Sequence, residues 1–360
     1  MEEKEIQLIF GRNIEGNFMM PLKNGKILFY YFKEDYNIHI YNEKTFQKLF
    51  EIDLYEQIMK YKKKNKKIKY KFDYDNKNSI KELKNGLILI GLDRYLIQLK
   101  LNKNDYDCKI IKQMDDIILD INELSFKKII IITSKKIIEL SKKNNEYQTL
   151  KEYSLKENWK MIPKSLTEKF YENFHQYYSS YLLPNNKLLL NSFSTEIYTF
   201  RRCNRSRPTP ITNSKIIFID LKNFKEISTT ETYDNDIELI ILDNCIIIQL
   251  WECFNIYDIN SLKLIKNIKS TEKIGNWYKF NNQLLIDFNH DDNGKITIIT
   301  YKIENKDLVE AFNIKINSQN GTIDSLDKLC YRRGLITFMN NKIINLYDDE
   351  IYVFQLIKNK

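Results

Sequence analysis

Asn24-Gly25-Lys26-Ile27-Leu28 joins a turn to an apolar run. Asn and Gly tolerate the positive φ of a tight strand-to-strand connection, and the Ile and Leu behind them open a strand. The same order recurs at Asn85-Gly86-Leu87-Ile88-Leu89, Lys127-Lys128-Ile129-Ile130-Ile131, Asn185-Asn186-Lys187-Leu188-Leu189, Asp243-Asn244-Cys245-Ile246-Ile247, Asn281-Asn282-Gln283-Leu284-Leu285 and Asn340-Asn341-Lys342-Ile343-Ile344. The third start has lost its Asn. Gly25 to Asn341 spans 316 residues in six intervals, a mean of about 53, so the 360 residues hold close to seven units.

Within a unit a second strand alternates with period two, as in Ile38-His39-Ile40-Tyr41-Asn42, Phe254-Asn255-Ile256-Tyr257-Asp258 and Ile296-Thr297-Ile298-Ile299-Thr300. A further strand follows in Phe46-Gln47-Lys48-Leu49-Phe50-Glu51-Ile52 and Leu262-Lys263-Leu264-Ile265-Lys266-Asn267-Ile268. Each unit therefore reads as a four-stranded antiparallel meander. The last unit ends at Ile351-Tyr352-Val353-Phe354-Gln355-Leu356, one strand short, while Glu5-Ile6-Gln7-Leu8-Ile9-Phe10 precedes the first unit without a partner. The N-terminal strand is expected to complete the seventh unit and so to remove an exposed edge.

The whole chain resembles the WD-repeat-like β-propellers in a degenerate form. Where that family tends to carry Trp-Asp at the end of the third strand, this chain has Tyr41-Asn42, Tyr257-Asp258 and Ile219-Asp220, and no Gly-His pair opens a unit. The resemblance implies an all-β, seven-bladed propeller over residues 1–360 as one domain, with short helical insertions and a role as a non-catalytic scaffold for other proteins.

Three segments depart from the repeat, and departures are where function concentrates. The first covers about 53–78. Asp53 and Glu56 have capping-box spacing ahead of Ile58 and Tyr61, so a short helix is expected to lead into a lysine run. The second covers about 156–180, where Ser165-Leu166-Thr167-Glu168 is another capping box and Leu166, Phe170 and Phe174 share one helical face. The third, about 201–214, carries Arg201, Arg202, Arg205 and Arg207.

The formal charge is +9, but Lys60 to Lys71 holds eight lysines and no acid, which leaves +1 for everything else. A surface built wholly for nucleic acid would spread that excess over a face. Lys62, Lys63, Lys64, Lys66 and Lys67 could attract an anionic surface, phosphoinositide membrane or nucleic acid, or could simply be a solvated loop. The four arginines offer planar forks to the carboxylates or phosphates of an acidic partner, and a charged hairpin tip would look the same. Phe170 and Phe174 could dock into a partner's groove or pack back onto the protein. Tyr331-Arg332-Arg333-Gly334 and Phe200-Arg201-Arg202-Cys203 are similar to the Phe-Arg-Arg-Gly motif of phosphoinositide-binding propellers, but the pattern around that motif is missing and the match is read as coincidence.

The five cysteines are odd in number, scattered and without CxxC spacing, so neither a disulfide framework nor a thiolate zinc site is expected. His39, His175 and His290 have no metal-ligand spacing around them, and no metal or cofactor is expected. Neither a G-x-S-x-G elbow nor a P-loop, a Rossmann fingerprint or an H-E-x-x-H pair is present, so nothing proposes an enzyme. With no apolar stretch of membrane-helix length and an acidic start, the expected location is the cytoplasm, or the nucleus.

Overall fold

The computed structural model describes residues 4–13, 18–30, 36–65, 79–144, 146–155, 178–196, 211–232, 238–249, 253–269, 276–290, 296–304, 307–316, 335–339, 342–347 and 350–358. Strand β1 (Lys4–Asn13) precedes a first sheet of β2 (Phe18–Leu22), β3 (Lys26–Tyr30), β4 (Asn37–Asn42) and β5 (Lys48–Asp53), after which comes helix α1 (Leu54–Asn65). The second sheet is β6 (Ile80–Glu82), β7 (Ile88–Leu92), β8 (Tyr95–Leu101) and β9 (Tyr106–Gln113). The third is β10 (Ile118–Ser125), β11 (Lys128–Thr133), β12 (Lys136–Lys143) and β13 (Glu146–Ser154). The fourth is β14 (Tyr178–Leu183), β15 (Lys187–Glu196), β16 (Ile211–Asp220) and β17 (Lys225–Thr232). The fifth is β18 (Glu238–Ile241), β19 (Cys245–Gln249), β20 (Cys253–Asp258) and β21 (Leu264–Lys269). The sixth is β22 (Asn276–Lys279), β23 (Leu284–His290), β24 (Ile296–Glu304) and β25 (Asp307–Ile316), and β26 (Leu335–Met339), β27 (Lys342–Tyr347) and β28 (Glu350–Lys358) supply three strands of the seventh.

All the expected starts whose residues are described fall between the first and second strand of a sheet. Gly25 and Gly86 take φ of 73° and 79°, and Asn185 and Asn186 take 61° and 58°, as those tight connections require. A second turn chemistry recurs between the third and fourth strands. Asn42 Oδ1 accepts the N–H groups of Lys44 and Thr45 at 2.8 and 3.1 Å, Asp258 Oδ1 those of Asn260 and Ser261 at 3.1 and 2.6 Å, and Asp220 Oδ1 that of Lys222 at 2.9 Å. The chain then enters positive φ at Phe46 (53°), Leu262 (59°) and Phe224 (55°). The Asn or Asp that stands where the WD-repeat family carries its Asp thus caps the next turn.

The contacts divide the chain into two compact units, Met1–Tyr55 with Asp236–Lys360, and Glu56–Asn235. In the first, β1 closes the seventh sheet as expected, pairing antiparallel with β28 from Lys4↔Lys358 to Asn13↔Glu350. Lys4–Ile6 also pair in parallel with Ile314–Ile316 of β25, which fuses the sixth and seventh sheets. Sheets pack face to face on alternating side chains. Ile344 and Val353 of the seventh sheet join Met19, Ile27 and Phe29 of the first, while Ile343 and Phe354 join Ile286, Phe288 and Ile298 of the sixth.

The second unit repeats this logic. On β11, Ile129 and Ile131 pack with Leu89 and Leu96 of the second sheet, and Ile130 and Ile132 with Leu188 and Leu190 of the fourth. A strand buried on both faces needs an unbroken aliphatic run, which is why these stretches read Ile-Ile-Ile-Ile rather than apolar-polar.

Three segment boundaries move relative to the sequence expectations. Asp53 is the last residue of β5, opposite Asn37, so the first insertion starts after it. Tyr178–Ser180 belong to β14 and Ile211–Ser214 to β16, because the ladders to β15 continue over them as Tyr178↔Ser192 and Ile211↔Glu196. These extensions read Tyr-Ser-Ser and Ile-Thr-Asn-Ser, with no hydrophobic alternation to mark them.

Candidate functional site

In an antiparallel meander the first-to-second and third-to-fourth connections leave one end of a sheet, and the second-to-third and sheet-to-sheet connections leave the other. The three departures from the repeat are the β5–β6, β13–β14 and β15–β16 connections. All belong to the second class, and all re-enter the unit Glu56–Asn235. The backbone at this end is hydrogen-bonded within each sheet, and the Ile118–Asp93 bond joins the third sheet to the second. Gly91 donates to Ser79 O at 2.7 Å, Ile118 to Asp93 O at 2.7 Å, Ser134 to Ile117 O at 3.1 Å and Leu155 to Lys135 O at 3.0 Å. Ser79 is where the first insertion returns, Leu155 where the second departs, and Ser180 lies two residues beyond the point where it returns.

A buried polar network braces this end. Asp120, on β10, accepts the Ser180 N–H and the Ser180 hydroxyl on Oδ2, each at 2.7 Å, and the Ile121 N–H on Oδ1 at 2.7 Å. Asn122 Nδ2 donates to Ser180 Oγ at 2.5 Å. Burial pushes the Asp120 carboxyl up to about 7, against the pull of the Ser180 and Ile121 hydrogen bonds and of the Lys81 ammonium. The network ties β10 to the opening of β14 and holds in place the point at which the second insertion rejoins the sheets.

Helix α1 begins right after Asp53, as the capping spacing predicted, and extends through Lys64. Leu54 and Ile58 are fully buried, and Tyr61 meets the Tyr95 ring edge-on at 6.0 Å. Lys62 Nζ stands 5.8 Å from the centroid of the same ring, and Lys60 pairs with Glu56 at 2.9 Å. Lys62, Lys63 and Lys64 thus occupy the last turn of a helix, where cations are favoured by the helix dipole. The apolar side of α1 is spent on the protein, so α1 is not a helix that could lie in a bilayer on that face.

Lys66, Lys67, Phe170, Phe174, Arg201, Arg202, Arg205, Arg207 and the Tyr331–Gly334 motif lie outside the described residues. The segments after β5, β13 and β15 return to the described residues at Ser79, Tyr178 and Ile211. The residues that sequence analysis missed are Asp120, Asn122 and Ser180. Their only local sign is a polar residue inside a first strand, and their partners are 58 and 60 positions away.

A second buried acid lies in the unit Met1–Tyr55 with Asp236–Lys360. Asp287 of β23 is pushed up to about 7 by burial, while the Trp277 indole donates a hydrogen bond to its carboxylate. Trp277 stacks between Phe254 at 4.0 Å and Tyr301 at 5.6 Å. Among the described residues no three His, Cys, Asp or Glu side chains converge as metal ligands, and no helix is long and apolar enough to cross a membrane. Cys108, Cys245 and Cys253 are free thiols, and burial raises the first two to about 11.

No protein-family model and no curated protein sequence matches the chain. Solved structures do. The β-propeller domain of Myceliophteria thermophila Cps50 (Swd1) superposes with a TM-score of 0.51 at 8% identity, over 98% of this chain and 99% of that one. A chain of the Mitotic Checkpoint Complex superposes with a TM-score of 0.55 at 7% identity, over 98% of this chain and 92% of that one. At such identities the likeness is one of fold, and the fold is a seven-bladed β-propeller.

Proposed function

We propose that this chain is a non-catalytic interaction platform, a divergent WD-repeat-like propeller whose partners are other proteins. What supports the reading is that the β5–β6, β13–β14 and β15–β16 connections, which hold the three insertions, all rejoin the sheets of Glu56–Asn235 at the same end of their meanders, the end braced by Asp120, Asn122 and Ser180. Loops rooted in a fixed base present side chains with a smaller ordering cost on binding. The Mitotic Checkpoint Complex chain, similar in fold, comes from a multi-component assembly, which agrees with such a role. In this reading Arg201, Arg202, Arg205 and Arg207 engage acidic groups on the partner, with Phe170 and Phe174 as apolar anchors.

The test is affinity purification from native cells at low and high salt, comparing three forms. One is the natural chain, one has the four arginines changed to Gln, and one has Lys62, Lys63, Lys64, Lys66 and Lys67 changed to Gln. The platform reading expects the same defined proteins with the natural chain at both salts, their loss from the arginine variant and their retention by the lysine variant. If instead the lysine variant alone loses its cargo, and that cargo is lipid or nucleic acid held only at low salt, the anionic-surface reading replaces it.

A further inference from the structure

The opposite end of the sheets in Glu56–Asn235 carries a different chemistry. Phe126 stands in the turn between β10 and β11 and is 68% exposed, the most exposed large apolar side chain among the described residues. It immediately precedes Lys127, the first residue of the one start of the seven that lacks Asn. The neighbouring turns adjoin it through hydrogen bonds: Lys142 N–H donates to Lys127 O at 2.7 Å, and Lys84 N–H to Glu123 Oε2 at 2.7 Å. Lys84, Lys127 and Lys143 are exposed, and Lys142 lies 5.8 Å from the Tyr147 ring. The acids nearby are Glu82, at the end of β6, Glu139, buried and paired with Lys128 at 2.8 Å, Glu123, which receives the Lys84 N–H, and Glu146, opposite Lys143 in the ladder.

We propose that this turn end is a contact surface for an anionic phospholipid bilayer, with the Phe126 ring entering the headgroup boundary and Lys84, Lys127, Lys142 and Lys143 facing the lipid phosphates and carboxylates. Charge complementarity chooses the occupant. The turns at 83–87, 125–128 and 142–144 carry lysine and no arginine. Protein interfaces are enriched in Arg and depleted in Lys, whereas lysine point charges on flexible stems suit a diffuse field of headgroups. A ring on a convex hairpin tip also needs a medium that yields to it, and a bilayer does so without a preformed pocket. This inference goes beyond the platform reading and stands without it. The connections that hold the insertions leave and rejoin these sheets at the other end.

The experiment is co-sedimentation of the full chain with vesicles of phosphatidylcholine and of a phosphatidylcholine–phosphatidylserine mixture. Phe126→Asn puts a turn-forming residue at a position that is 68% exposed, and a thermal melt of the variant checks that it folds. The natural chain is expected to bind only the phosphatidylserine-containing vesicles. Phe126→Asn should lower that partition roughly tenfold, and Lys127→Gln and Lys143→Gln roughly fivefold each. Lys62→Gln with Lys63→Gln, at the other end of the sheets, should leave it unchanged. The proposal is overturned if the natural chain binds neither vesicle, or if Phe126→Asn binds as the natural chain does. It is equally overturned if the α1 lysines rather than those of the turns carry the effect.

Discussion

Asp120 shows how one buried carboxyl converts pH into stability. Its folded-state value, about 7, lies above the ordinary 3.8, so the folded chain holds the proton more tightly than the unfolded chain does. The stabilisation is fully present below about pH 4 and is lost as pH rises towards 7. Asp287 has the same sign and the same window. Thermal midpoints measured from pH 5 to 8 are expected to fall, and Asp120→Asn, which keeps the shape but cannot ionise, should flatten the slope. A variant with the unaltered slope would show that Asp120 is ionised at both ends of that range. Gly91 is a second residue-scale case. A Cβ there would stand 2.4 Å from Ile118 Cγ2 and 3.1 Å from Ser79 Cβ, so Gly91→Ala should cost about 1–3 kcal/mol through overpacking. Gly86→Ala meets no atom within 4 Å and should cost less than that, through its φ of +79° alone. Urea midpoints of the two variants separate the mechanisms.

At the scale of elements, helix α1 has two sides with different roles. Ile58 is fully buried, and Ile58→Ala should destabilise by about 2–4 kcal/mol through the cavity it leaves. Lys63 is exposed, and Lys63→Gln should change stability by less than about 0.5 kcal/mol. Denaturant titration of both decides whether α1 is structural on one side only. Helix α1 was legible because capping and spacing are local properties of Asp53, Glu56, Ile58 and Tyr61. The strands were legible for the same reason, since a turn residue and a period-two pattern need no knowledge of the rest of the chain. The ends of β14 and β16 were not, because Tyr178–Ser180 and Ile211–Ser214 join their strands through ladders to β15 and carry no alternating apolar pattern.

At the scale of the molecule, β1 is the closure. It adds the fourth strand to the seventh sheet and bridges it to the sixth. Deleting residues 1–13 would leave β28 with an open edge and should lower the unfolding midpoint and produce soluble oligomers or aggregate. Size-exclusion chromatography with light scattering checks this; a monomer of unchanged midpoint would mean that β1 is dispensable.

By itself the sequence determined the number of units, the order of strands within each and the incomplete last unit, because turn chemistry and side-chain alternation act over a few residues. Only the tertiary structure decided that Asp120 reaches Ser180 across 60 positions, and that Phe126 stands exposed while other aromatic rings such as Phe29 and Phe288 are buried. Those outcomes depend on which sheet faces which. That is set by the summed packing of Ile, Leu and Phe faces from separate units, and no single stretch of the chain encodes it.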